Sequence, residues 1–188
     1  MKKNMSTDNF VENEITLDMP LPSMETGDPF MLAQLNQLQT LSRNLGNISA
    51  KARIYKSAAQ SIASPTKIQL DIETYDQAGN FDNVTNYRFT AKVAGFYLIN
   101  AQVGMTSVPA GQGVASYIYK NGNEHSYNIS YFNGPAGNSC KSTIVDLVKL
   151  DVDDYIELFA ANTEAPTTRA LETGESKTFM TIHFLSII

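Results

Sequence analysis

Downstream of Ala52 apolar residues recur at every second position, and this period constrains the fold more than any other feature of the chain. Ile68, Leu70 and Ile72 alternate with Gln69, Asp71 and Glu73. Tyr97, Ile99, Ala101, Val103 and Met105 do the same in FYLINAQVGM, as do Ala115, Tyr117 and Tyr119 in ASYIYK and Met180, Ile182 and Phe184 further on. Successive strand side chains point to opposite faces, so this pattern predicts strands with one face buried. The runs are separated by turn residues: Gly79-Asn80, Ala94-Gly95, Pro109 to Gly113, Asn133 to Gly137 and Glu172 to Glu175. Asn121-Gly122 reads as a hairpin, since both residues tolerate the positive φ of a type I′ turn. About nine or ten strands are expected over residues 53–188, joined by short loops with no helix-period segment among them. The fold class that follows is an all-β antiparallel sandwich or jelly roll.

Upstream the period is different. Asp28 can cap free N–H groups, and Pro29 stands where a missing N–H costs nothing, so a helix is expected to start there. Met31, Gln34, Leu38, Leu41, Leu45 and Ile48 then recur at alternating three and four, a heptad seam that predicts a coiled-coil trimerisation stalk over residues 29–50. A single amphipathic helix packed on the downstream domain is the competing reading. Gly46 can end the helix at about Leu45, and a helix this short gains most of its stability from packing.

Residues 1–28 have no sustained period and contain Pro20 and Pro22. Phe10, Val11, Ile15 and Leu17 are scattered among acids and amides there, too sparsely to form a core. An extended segment is expected, either a tail or a peptide that orders on a partner through those four residues.

Charge and motif content exclude several functions. The net charge is −5, of which residues 1–28 contribute −4, so there is no basic face to neutralise phosphates and nucleic acid is not an expected partner. No stretch approaches the apolar length of a membrane helix, so no membrane insertion is expected. A polar run after Lys2 and Lys3 stands where a secretory signal would be apolar. Cys140 is the single cysteine, which rules out an intrachain disulfide. His125 and His183 are the only histidines, and no nucleophile elbow, phosphate loop or zinc motif occurs, so no catalytic residue and no enzyme is expected. No cofactor is expected and no metal residue is assigned. Asp151, Asp153 and Asp154 form an acidic turn at which calcium is conceivable, but the spacing is not that of a calcium loop.

Several motifs in order resemble the C1q/TNF-like domain family. Arg88 to Ala101, RFTAKVAGFYLINA, is similar to the centre of the C1q signature: an aromatic, five residues, Gly, one residue, Tyr, then alternating apolar positions. Tyr117 to Gly122 resembles the family's hairpin with its KNG turn, and Leu150 to Leu158 resembles its late strand pair, with Asp153 where the family usually has Gly. Thr178, Phe179, Phe184 and Leu185 occupy the place of the closing strand. The resemblance implies a jelly-roll head that assembles as a homotrimer, with Tyr97 and Ile99 serving the threefold interface as well as the core. Together with the stalk it assigns Leu38, Leu41, Leu45, Ile48, Tyr97 and Ile99 to trimer contacts.

A recognition site is expected around His125, Tyr127, Asn128, Tyr131, Phe132 and Asn133, because aromatic faces and amides stack on and hydrogen-bond to sugars or anchor protein partners. Alternate members filling the sandwich is the other reading. The order of anchoring segment, stalk and head leads to the expected function: a bacteriophage virion protein, a head decoration or tail fibre. Residues 1–28 would dock on other virion proteins and the head would bind a host-surface glycan or protein. A bacterial surface adhesin or signalling-type ligand is the alternative.

Overall fold

A computed structural model describes residues 29–48, 50–135 and 138–188, with the side chains of 40–48 left aside. The expected docking residues Phe10, Val11, Ile15 and Leu17 lie outside the described residues. The helix α1 covers Pro29–Ile48. Along its first half Leu32, Leu35 and Leu38 are exposed. The side chains of Leu41, Leu45 and Ile48, assigned to the seam, are outside the described set.

The head begins two residues before the expected boundary, at β1 (Lys51–Tyr55), because Ala50 and Ala52 are already buried. Short strands follow: β2 (Ser61–Ile62), β3 (Thr66–Lys67), β4 (Ile72–Asp76), β5 (Phe81–Asp82) and β6 (Arg88–Thr90). The long ones are β7 (Gly95–Met105), β8 (Gly113–Lys120), β9 (Asn123–Tyr131), β10 (Cys140–Leu150) and β11 (Tyr155–Asn162). The series closes with β12 (Arg169–Ala170) and β13 (Phe179–Ile187). Four of these strands are only two residues long, which is why the turn-to-turn reading of nine or ten undercounts them.

The strands build two main sheets. One has the order β10-β7-β13-β1-β4, the other β5-β6-β11-β8-β9 with β3 added to β11, and all pairings are antiparallel. Sequence neighbours thus fall in different sheets, β7 in one and β8 in the other, β9 and β10 likewise, which is jelly-roll winding. The core lies between the sheets, with Ile54, Ile99, Met105, Ile144 and Ile182 on one side and Phe89, Ile118, Ile156 and Leu158 on the other.

At Asn121 and Gly122 φ is 53° and 77°, and Lys120 pairs with Asn123, so the β8–β9 turn is the expected two-residue type I′ hairpin. Gly95, at the start of β7, is required for a different reason. A Cβ there would lie 2.4 Å from the Ser186 carbonyl oxygen and 2.5 Å from the Phe184 ring. Asp153, in the position where the resembled pattern has glycine, has φ 69°, the left-handed region that glycine enters freely and Asp tolerates. The departure from the pattern therefore keeps its backbone shape.

Two expectations about strand faces are corrected by the packing. Tyr97 and Ile99 have no exposed surface within a single chain, so their side chains cannot meet another copy. Tyr97 packs edge-on against Phe89 and Phe184, at ring separations of 5.7 and 5.2 Å, and donates its hydroxyl to the Val93 carbonyl at 2.8 Å. Burial pushes that phenol up to about 12. On β8 the inward parity is Val114, Ser116 and Ile118, all fully buried, so the alternation of Ala115, Tyr117 and Tyr119 marks the outer face. The polar member, Ser116, passes unnoticed as a core position because its hydroxyl is matched across the sandwich by Ser142 at 2.8 Å.

Candidate binding surfaces

The expected recognition patch does not stay together. Alternation along β9 sends Tyr127 and Tyr131 outward, where they are 59% and 61% exposed. Asn128 turns the other way: its Nδ2 donates to the Thr143 carbonyl at 3.0 Å, and its own carbonyl accepts from the Ser142 hydroxyl at 3.1 Å. His125 Nε2 lies 3.6 Å from Asp146, again on β10. The Cys140 thiol donates to the Ser130 carbonyl at 3.3 Å, and burial raises that thiol above its ordinary value. These contacts join the edge strands of the two sheets, so His125 and Asn128 contribute to a seam between β9 and β10. Phe132 is partly buried against the core, and Asn133 is exposed in the loop that follows.

The outer face of the six-stranded sheet sets the expected Tyr127 beside Tyr117, Tyr119 and Phe159, which sequence reasoning did not assign to a site. Tyr117 pairs across the strands with Tyr127 on β9 and Phe159 on β11. The Tyr117 and Tyr127 rings are 5.8 Å apart, and Tyr119 stacks on Phe159 at 4.0 Å. One row along, Tyr119 stands between Glu157 and Glu124. Burial raises the Tyr117 phenol, and the charge of Glu124 and the neighbouring phenols Tyr119 and Tyr127 raise it further. The signal for this strip was present in ASYIYK and NEHSYNISY, whose aromatic residues share one parity.

A second surface lies on the outer face of the five-stranded sheet. Phe96 and Leu98 of β7, Val145 and Leu147 of β10, and Leu185 of β13 all stand outward on three adjacent strands. Leu98 is paired with Leu147 on one side and with His183 on the other. Val145 and Leu147 are 60% and 53% exposed, unusual for apolar residues in mid-strand. In β10 apolar residues occupy both parities, and that is the sequence sign of a strand covered on both faces.

The acidic turn is a structural clamp. The Asp154 carboxylate accepts from Lys120 Nζ at 2.8 Å, Asn121 Nδ2 at 2.7 Å and the Asp151 amide at 2.9 Å. Burial alone would raise this carboxyl, but those donors outweigh it and hold it at about 2. No group of three His, Cys, Asp or Glu residues is gathered for a metal among the described residues. No helix among them is long and apolar enough to cross a membrane.

Two sheets wound in this order define a C1q/TNF-like jelly roll. Solved structures with the same fold include Eiger TNF from S. frugiperda, 11% identical with a TM-score of 0.57, covering 74% of this chain and 94% of that one. The globular domain of zebrafish complement 1qA is 10% identical with a TM-score of 0.56, covering 74% of this chain and 99% of that one. Murine APRIL is 18% identical with a TM-score of 0.54, covering 73% and 99%. No protein-family model matches the chain, and no curated protein matches it in sequence.

Proposed function

We propose that this chain is a non-enzymatic homotrimeric binding protein of a bacteriophage virion, a fibre, spike or head decoration. Its C1q/TNF-like head engages a host-surface glycan or protein while its N-terminal segment docks on the particle. The observation that carries the trimer is the apolar outer face formed by Phe96, Leu98, Val145, Leu147 and Leu185. The apolar area these side chains still expose costs about 25 cal/mol per Å² in water, and contact with further copies of the chain removes that cost. The exposed leucines of α1 support a helical stalk, since three such helices cover one another's apolar stripes. The virion assignment rests on the order of anchor, helix and head in the sequence.

Light scattering on the full chain tests the assembly. The expected mass is three times the 20.7 kDa of one chain. Leu98→Asp is expected to raise the concentration at which the trimer dissociates by about tenfold or more, because it places a charge in an apolar contact. A monomer at micromolar concentration, or a variant that assembles like wild type, overturns the reading. A second reading, a bacterial surface adhesin or signalling-type ligand, is favoured by the fold shared with Eiger TNF and APRIL. Recovery of the chain in cell-surface fractions rather than with purified particles would select it.

A further inference from the structure

We infer that the outward face of β8, β9 and β11 is a docking surface for a basic side chain, an arginine or lysine presented by a protein partner. Four aromatic rings from three strands meet there: Phe159, Tyr117 and Tyr127 in one row, with Tyr119 beside them. Tyr117 and Tyr119 meet edge to face at 6.3 Å, and Tyr117 and Tyr127 lie tilted at 5.8 Å, so ring faces and phenol oxygens are presented together. Ring faces carry negative potential and attract cations, arginine guanidinium more often than lysine ammonium.

The charges around the rings decide between possible occupants. Glu157 is buried and neutralised by Lys67 Nζ at 2.9 Å. Glu124, the cross-strand neighbour of Tyr119, is exposed and makes no ion pair among the described residues. Tyr119 and Phe159 stack on each other, so the strip offers the exposed ring of Tyr127 and the half-buried Tyr117 beside it, together with one carboxylate that has no ion-pair partner among the described residues. A neutral sugar would stack on the rings and gain nothing from the charge of Glu124, whereas a cation gains from both.

The head already uses this chemistry internally. Arg88 lies over the Tyr155 ring at 4.3 Å on the same outer face, and Arg53 lies over Phe179 at 4.2 Å on the other sheet. Tyr117 and Tyr127 have no such cover among the described residues. This inference rests on the reading of the head as the binding part, and it names the chemistry of the partner.

The test is a titration of the full chain with an end-blocked Gly-Arg-Gly-Arg-Gly peptide, followed by NMR of the tyrosine ring resonances. Citrulline replaces arginine in a control peptide, and a neutral trisaccharide of N-acetylglucosamine serves as a third probe. The expected result is saturable shifts confined to Tyr117, Tyr119 and Tyr127, weakened by added salt and about fivefold weaker for the citrulline peptide. Glu124→Gln is expected to weaken binding by a similar factor, and Tyr127→Ala to abolish it, with unchanged far-UV circular dichroism. Equal binding of the arginine and citrulline peptides, indifference to Glu124→Gln, or preference for the trisaccharide overturns the inference. The titration reads this surface whatever the oligomeric state or particle association, so its failure leaves the trimer and virion reading standing.

Discussion

Asp154 shows how much one side chain contributes at the surface of this head. Its carboxyl titrates at about 2 in the folded chain, against an ordinary value near 4 when unfolded. A depressed value stabilises the fold above the unfolded pKa, and that contribution is lost as pH falls from about 4 to about 2, a loss of about 1 kcal/mol once solvent screening of this surface group is counted. Asp154→Asn is therefore expected to lower stability at pH 7 by about 1 kcal/mol and to flatten the acid limb of the denaturation profile across that window. Urea unfolding at a series of pH values checks both. Asp154 drew notice in the sequence as a conceivable calcium ligand, yet its partner Lys120 is brought beside it by a hairpin 33 or so positions away. Spacing does not disclose which donors a fold supplies to a carboxylate. Tyr97 was legible as a core residue because its alternation is unbroken, but the partition between core and interface depends on both sheets at once.

At the scale of elements, β7 is the most constrained strand. It is paired along its length on both sides, with β10 and β13, and its first residue admits no side chain. Gly95→Ala is expected to cost about 2–4 kcal/mol, because the new methyl meets the Ser186 carbonyl oxygen, which is backbone and cannot rotate away. Thermal unfolding measures this, and a variant as stable as wild type would show that β13 can shift. The strand runs and the type I′ hairpin were readable because period-two alternation and Asn-Gly chemistry are local. The outward surfaces were not. On β8 and β10 both parities carry apolar or aromatic residues, so the pattern alone left open which set faces the core, and for β8 the wrong set was assigned.

For the whole molecule, the prediction concerns the division between anchor and head. Removing residues 1–26 is expected to leave a folded trimer by light scattering and circular dichroism while abolishing incorporation into particles, measured by immunoblot of purified virions. Normal incorporation would refute the docking role. The seam between β9 and β10 belongs to this scale too. Ser142 and Cys140 donate to the carbonyls of Asn128 and Ser130, so the edges of the two sheets are tied to each other. Unpaired strand edges are where sheet proteins add foreign strands, and here that edge is occupied.

The position of β13 carries a consequence for biogenesis. It lies between β7 and β1, and pairs residues as distant as Thr181 and Arg53, 128 positions apart. During translation β1 and β7 have no neighbour in common until residues 179–187 have been made, so the head folds late, while the helix upstream is complete early. For the proposed homotrimer, nascent chains on one polysome would meet through that helix before any head has closed, and trimers drawn from a single messenger rather than exchange among finished monomers are the expected outcome.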